Sequence, residues 1–340
     1  MSSTVHCFML SALIGAVAST AALAQAEPPA DQNFTGGALF IYIPDETTGK
    51  IEDRSRERGH SVNATLKADG SLDVIIDGKT KDKRTVPSLN GLIMSDDIGV
   101  PTAIVYKAAT DPCGGEVTSG CDDRAIAVSK AAGKNLLQSS TYGITRFGED
   151  TDATPLATWM GGVYYGTATN VADMPKDLTA TYTGNFLGLA FQAKSDISPT
   201  GDSSVNVLTG DTSLTADFRK AKVSGKITNL VATDDLGETA LDQGLSLKGK
   251  IKGNSYTGGV SFIKPNGKST GSVAHSELSG GFFGTNAAET AGALSLRGKF
   301  KPTSQGVARS SDNSNSGKGV NVNIIGSFGA TKFVPPSPAP

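Results

Sequence analysis

Few side chains in this sequence stand in a pattern that could support catalysis or metal binding. The 340 residues include only three His and three Cys. The chain contains no HExxH zinc motif and no GxxxxGK[ST] phosphate-binding loop. Because the usual nucleophiles and metal ligands are scarce and scattered, we predict a protein that has no catalytic residues and no metal site.

Two histidines, His60 and His275, are the remaining candidates for ligand chemistry. Neither stands in a context that indicates a Ser-His-Asp site. An imidazole is a common axial ligand of haem iron, so both residues are candidate haem ligands. The alternative is that each is a surface or hydrogen-bonded histidine, and the sequence leaves both interpretations open.

Cys113 and Cys121 flank a pliable, glycine-rich segment, PCGGEVTSGCDD. In an exported protein, a pair at this spacing predicts a disulfide. Closing so short a loop would stabilise the fold by roughly 2–3 kcal/mol. A metal site that also uses Asp122 and Asp123 is the alternative, although no His lies nearby.

The N-terminus has the features of a secretory signal peptide. An apolar run from Phe8 to Leu23 is followed by Ala24-Gln25-Ala26, which fits the small-x-small cleavage rule. We therefore predict that residues 1–26 are removed. Because Cys7 precedes the apolar run, we expect no lipid anchor. The mature protein is expected to be soluble, without a membrane span, and either periplasmic or secreted.

Composition favours an all-β protein. The chain contains 41 Gly, and its strand-like segments alternate with period two, which is typical of a sandwich or barrel. The formal net charge of −2 gives no reason to expect nucleic acid or an anionic membrane as a partner.

Residues 27–150 are predicted to form a smaller, β-rich first domain. Asp122 and Asp123 would cap a helix over Arg124–Ala132 that Gly133 ends. The polar, aperiodic segment at 150–155 marks a domain boundary. Apolar runs predict strands at 38–43, 64–66, 72–76, 103–106 and 142–147.

The second part of the chain repeats a hydrophobic-x-Gly-x-hydrophobic unit. Residues two apart in a strand share a face, so each glycine lies between larger inward-facing neighbours. Small residues are needed where a barrel wall narrows. With added strands at 158–167 and 281–284, the number of strands reaches about eight. A barrel of eight strands has an interior that side chains just fill or that holds one small ligand. The repeated glycines are Gly184, Gly225, Gly249, Gly258, Gly298 and Gly326.

The segment 280–300, GGFFGTNAAETAGALSLRGKF, combines a glycine-aromatic turn with a strand. Asn286 and Glu289 have the spacing of an N-cap and an N3 acid, so we predict one helical turn between them and Gly292. Alternation of apolar and polar residues from Leu294 to Phe300 predicts a half-buried strand.

This segment resembles a motif of the transferrin-binding protein B barrel domain, which related proteins such as factor H binding protein and the hemophilins also carry. The matching positions are Phe282, Phe283, Gly284, Asn286, Ala287 and Glu289.

Two further segments extend the resemblance. Residues 174–184, MPKDLTATYTG, are similar to the opening of that barrel, and 326–332, GSFGATK, are similar to its last strand. The resemblance implies a C-terminal eight-stranded antiparallel β-barrel over residues 155–333, preceded by a smaller handle domain over residues 27–150.

The resemblance implies a secreted, non-enzymatic binding protein for haem or iron acquisition that delivers its cargo to an outer-membrane receptor. No cofactor is required, although haem is a candidate ligand. A module that binds a host protein and no small ligand is the first alternative. A carrier that holds a small ligand inside the barrel is the second.

Overall fold

A computed structural model provides the structure of this chain. It describes residues 30–43, 60–77, 88–95, 103–108, 125–132, 135–151, 154–191, 205–234, 237–300 and 320–333. In this part of the chain no helix is long and apolar enough to cross a membrane. The predicted signal peptide and the predicted disulfide between Cys113 and Cys121 lie outside the described residues.

Two β-barrels follow one another along the chain. Strands of the first barrel pair in the cyclic order β1-β10-β9-β6-β5-β4-β3-β2, and β7 and β8 form a separate small ladder. The strands are β1 (Gln32–Ile43), β2 (His60–Leu66), β3 (Leu72–Asp77), β4 (Leu89–Ser95), β5 (Ile104–Ala108), β6 (Ala125–Ser129), β7 (Ala131–Ala132), β8 (Asn135–Leu136), β9 (Ser140–Thr151) and β10 (Thr154–Gly166).

The second barrel has the order β12-β11-β19-β18-β17-β16-β15-β13, and pairing of β12 with β13 closes it. A one-turn 3₁₀ helix, Val171–Asp173, precedes this barrel. The short strand β14 pairs with the C-terminal end of β13. The strands are β11 (Thr179–Phe191), β12 (Val205–Asp217), β13 (Lys222–Asp234), β14 (Gly237–Ala240), β15 (Gly244–Lys252), β16 (Ser255–Ile263), β17 (Ser272–Phe283), β18 (Glu289–Phe300) and β19 (Val320–Lys332).

The predicted all-β class and the C-terminal eight-stranded antiparallel barrel are confirmed. The first domain is itself a closed eight-stranded barrel. The strand predicted at 158–167 does not belong to the second barrel, because β10 pairs with β1 and β9. The two sheets therefore divide after β10, and the proposed boundary at 150–155 falls within the β9–β10 hairpin.

The helix predicted over Arg124–Ala132 is wrong. Residues 125–129 form β6, which pairs with β5 on one side and β9 on the other. Both faces of this strand are buried, since Ile126 packs inside the first barrel and Ala127 packs against the second. Such a strand has no alternation of polar and apolar residues to distinguish it from a helix.

Large aromatic side chains fill the second barrel. Its core contains Tyr182, Phe186, Tyr256, Phe282 and Phe328, each at most 2% exposed. The first barrel is filled in the same way around Phe40 and Trp159.

Five of the six repeated glycines are buried or partly buried on the same strand faces as these core residues, as predicted, whereas Gly258 is exposed. Gly326, for example, is between Ile324 and Phe328, and a Cβ there would lie 2.7 Å from the ring of Phe186. At Gly298 and Gly326, the missing side chain therefore leaves the space that an aromatic ring occupies.

We expect Gly326→Ala to destabilise the protein by about 1–3 kcal/mol, because the added methyl group overpacks the wall. Its Cβ would meet the Leu187 carbonyl oxygen at 2.6 Å and the Gly188 Cα at 2.7 Å, and neither backbone atom can turn aside. Gly259→Ala is the matched control, since its Cβ would meet only the Ser276 hydroxyl, at 3.0 Å. Equal losses of unfolding free energy in urea titrations of the two variants would contradict this account.

Candidate functional site

The FFGTNAAE segment lies where the two barrels meet. Phe282 points into the second barrel, with ring centroids 5.2 Å from Phe218 and 5.4 Å from Tyr256. Phe283 points out of that barrel and meets Tyr164 of the first barrel edge-on, with 6.3 Å between ring centroids. Adjacent phenylalanines thus belong to different cores because successive side chains of a strand face opposite ways.

A tight left-handed turn follows Phe283, in place of the predicted helical turn. Gly284, Asn286 and Ala287 have φ values of +71°, +54° and +54°, and β18 begins at Glu289. The Tyr182 hydroxyl donates to the Ala287 carbonyl at 2.8 Å, which holds the turn from inside the barrel. The expected capping role of Asn286 and Glu289 is therefore wrong.

The side chain of Glu289 extends from the second barrel to the first. The residue is buried, with only 4% of its surface exposed. One oxygen accepts from the backbone N–H of Gln138 at 2.7 Å. The other accepts from the Ser140 hydroxyl at 2.8 Å and from the Ser139 N–H at 3.0 Å. Burial of a carboxylate is costly unless donors surround it, and here the first barrel supplies all three.

Further hydrogen bonds join the two barrels beside Glu289. The Ser327 hydroxyl donates to the Gly143 carbonyl at 2.6 Å. The hydroxyl groups of Tyr164 and Ser279 are 2.8 Å apart. In the connecting segment, the Thr169 hydroxyl donates to the Gly284 carbonyl at 2.7 Å.

Burial determines the ionisation of the tyrosines at this joint. Desolvation raises the pKa of Tyr164 to about 12, although its hydrogen bond with Ser279 acts in the opposite direction. Desolvation likewise raises the pKa of Tyr142 to about 12, with an opposing contribution from Ser129. Both phenols are therefore neutral at physiological pH.

An apolar cluster contributed by both barrels surrounds these polar contacts. Backbones approach closely at its centre, since a Cβ on Gly162 would strike the Gly326 carbonyl. The joint therefore has the dry, closely packed character of a protein interior. Its members include Leu39, Ile41, Met160, Leu187, Leu189, Ala293 and Ile325.

The structure separates the two candidate haem ligands. His60 is 5% exposed at the end of the first barrel, with its ring centroid 6.1 Å from Phe40. His275 is half-buried on β17 of the second barrel, opposite Arg297 of β18. Among the described residues, no three His, Cys, Asp or Glu side chains converge as metal ligands.

The segment 267–271, GKSTG, has the G-x-S-x-G spacing of a hydrolase nucleophile. That motif requires a sharp turn between a strand and a helix. Here it lies in the exposed hairpin between β16 and β17, and Ser269 forms an isolated bridge with Ile263. The structural context for a nucleophile is therefore missing from this hairpin.

An open groove of about 500 Å³ lies at one end of the second barrel. Exposed apolar side chains accompany it: Leu178 lines the groove, and Val171 and Phe333 are chain neighbours of the lining residues Ala172 and Lys332. We call Val171, Leu178 and Phe333 the rim patch. Their exposures of 57%, 43% and 57% are high for such large apolar groups.

Sequence reasoning missed the rim patch and the acceptor role of Glu289. Leu178 belongs to the MPKDLTATYTG segment that carried the resemblance, yet periodicity could not show that its side chain is exposed. The partners of Glu289 lie about 150 positions away in the chain, and no local pattern connects them.

Residues 174–332 match a family model described as the C-lobe and N-lobe beta barrels of Tf-binding protein B. The resemblance to transferrin-binding protein B barrels is therefore confirmed for the second barrel. No curated protein sequence matches the chain.

Solved structures with a similar fold include transferrin-binding proteins. A mutant transferrin-binding protein B from Haemophilus parasuis is 19% identical, with a TM-score of 0.34, and the match covers 81% of this chain and 51% of that one. An isotype 1 protein from serogroup B Neisseria meningitidis is 12% identical, with a TM-score of 0.29 and coverages of 90% and 77%. A surface lipoprotein is 15% identical, with a TM-score of 0.33 and coverages of 87% and 98%.

The chain thus spans about half the length of the Haemophilus parasuis protein. At these identities and scores, the likeness carries no conclusion about a ligand or partner.

We expect Glu289→Gln to lower the free energy of unfolding by about 2–4 kcal/mol, because an amide cannot accept from all three donors and its NH₂ group would face one of them. The effect should be measured by urea denaturation and by limited proteolysis, in which the connection between the barrels should become more sensitive. Glu238→Gln on exposed β14 is the matched control and should change stability by less than about 0.5 kcal/mol. A similar small change for Glu289→Gln would contradict a role for this carboxylate in joining the barrels.

Proposed function

We propose that this chain, whose residues 174–332 form a barrel of the transferrin-binding protein B type, is an exported, non-enzymatic binding protein of an iron-acquisition system. It would bind a host iron-carrier protein at its surface and present the cargo to an outer-membrane receptor. The match of the second barrel to that family is the observation that carries the proposal.

Filled barrels support a surface site over an internal one. Both interiors are occupied by buried aromatic and aliphatic side chains, among them Tyr182, Tyr256 and Trp159. A carrier of lipocalin type needs an empty internal pocket, which aromatic and aliphatic side chains line but do not fill. We therefore favour recognition of a protein partner over enclosure of a small ligand.

The rim patch is the surface we propose for that partner. Protein interfaces depend on a few large apolar anchors surrounded by polar groups, and Val171, Leu178 and Phe333 supply such anchors at one end of the barrel. Asn286 and Lys332, which line the adjacent groove, supply polar groups beside them. Asn286 belongs to the turn between β17 and β18, which the hydrogen bond from the Tyr182 hydroxyl to the Ala287 carbonyl holds in place.

Haem is the second candidate cargo, and His275 is the better placed of its two candidate ligands. Its imidazole is half-buried on the outer wall of the second barrel, next to Arg297 across the β17–β18 ladder. A guanidinium on the neighbouring strand suits a haem propionate. His60 is enclosed against Phe40, so it would need local opening of the first barrel.

We expect the purified chain to bind iron-loaded transferrin in surface plasmon resonance. The triple variant Val171→Ser, Leu178→Ser and Phe333→Ser should bind at least about tenfold more weakly, because its apolar anchors are lost. The triple variant Ile75→Ser, Ile93→Ser and Val273→Ser is the matched control. It removes side chains of comparable exposure, 46%, 47% and 40%, from other surfaces.

The absence of binding to transferrins from several hosts would contradict the proposed partner. Equal loss in the two triple variants would instead contradict the assignment of the rim patch.

Titration with haemin tests the second candidate. If haem binds through an imidazole, a shifted Soret band should appear for the intact chain and for His60→Ala, and it should be lost in His275→Ala. No Soret shift in the intact chain, or a shift that neither histidine affects, would rule out haem ligation by these residues.

A further inference from the structure

A row of lysines covers one outer wall of the second barrel. Five of them, Lys222 and Lys226 on β13 and Lys248, Lys250 and Lys252 on β15, point outward and are exposed. We call these five residues the lysine face. The protein as a whole carries a formal charge of −2, so this concentration of positive charge is local.

Strand pairing brings these like charges together. Lys222 lies directly opposite Lys250, and Lys248 is opposite Ser224, midway between Lys222 and Lys226. Like charges directly opposite each other on neighbouring strands are destabilising. Their placement therefore lowers the stability of the fold, and an anionic partner would relieve that repulsion.

Nearby carboxylates are engaged elsewhere or lie further away. Asp217, opposite Lys222 on β12, forms an ion pair with Lys220 at 3.2 Å. Asp211 accepts from the Asn229 side chain at 2.7 Å. Glu277 is on β17, two strands from Lys248 of β15. Within the described part of the chain, no carboxylate forms an ion pair with the lysine face.

The shape of the lysine face is long and narrow. From Lys252 to Ser246, which pairs with Lys226, the lysine face extends along β15 for about 20 Å at about 3.3 Å per residue. Lys264 and Lys268 in the β16–β17 hairpin continue the row, since the Lys226 ammonium reaches towards Gly267 of that hairpin.

The side chains between the lysines are polar. Hydroxyl groups of Ser213, Ser224, Thr228 and Thr257 are exposed beside them on β12, β13 and β16. The exposed large hydrophobic residues of the described chain all lie on other elements. An apolar anchor of the kind that protein interfaces and inserted membrane segments use is therefore missing from this wall.

We propose that the lysine face binds a linear anionic polysaccharide that lies along β13 and β15. Ammonium groups act as point charges that tolerate varied geometry, which suits sulfate, phosphate or carboxylate groups repeated along a flexible chain. The hydroxyl groups between them can hydrogen-bond to the sugars. This site differs from the rim patch in its chemistry and does not depend on the identity of the iron carrier. Only its end at Lys252 adjoins the rim patch, since a Cβ on the next residue, Gly253, would lie 3.6 Å from the Val171 side chain.

The test measures binding of the full chain to heparin, which carries sulfates, and to polygalacturonate, which carries carboxylates. We expect at least one of them to bind at about 0.1 M NaCl and to be released as salt screens the contact. The variant Lys222→Gln, Lys248→Gln and Lys250→Gln should bind at least about tenfold more weakly. It should melt no lower than the parent chain, because it removes like-charge repulsion.

The matched control is Lys130→Gln, Lys176→Gln and Lys299→Gln, which changes the net charge equally at exposed positions elsewhere. It should retain binding within about threefold of the parent chain. Equal weakening in both variants, or no binding of either glycan, would overturn the proposal. Binding to phosphatidylglycerol vesicles or duplex DNA without binding to either glycan would also overturn it.

Discussion

The arrangement of the two barrels depends on the buried carboxylate of Glu289. A left-handed turn at Asn286 and Ala287 directs this carboxylate out of the second barrel, where it accepts hydrogen bonds from three groups of the first barrel. Burying a carboxylate without hydrogen-bond donors costs free energy. The turn that places Glu289 and the segment 138–140 that supplies its donors therefore stabilise one another. The segment that resembles a family motif is therefore a structural joint, and its phenylalanines complete two separate cores.

The filled interiors of the two barrels limit where a ligand can bind. With both barrels filled by their own side chains, neither interior has the character of a small-molecule pocket. Recognition must then use the outer walls, the barrel ends and the loops. Among the described residues, His60 and His275 are in different barrels, and GKSTG forms an exposed hairpin in place of a strand-to-helix turn.

Two surfaces of contrasting chemistry lie on the second barrel. The rim patch is apolar and borders a groove, whereas the lysine face is flat, cationic and rich in hydroxyl groups. Apolar anchors favour a folded protein partner, and a row of point charges favours an extended polyanion.

Local periodicity predicted seven strands of the second barrel, since strand alternation does not depend on which strand is the neighbour. It missed β12, and its count of eight included β10, which belongs to the first barrel. It failed at β6, where both faces are buried and the alternation disappears. The closure of the first barrel, the membership of β10, the partners of Glu289 and the clustering of the lysines came only from the folded chain. Each depends on pairing between residues far apart in sequence, and such pairing leaves no local pattern in either segment.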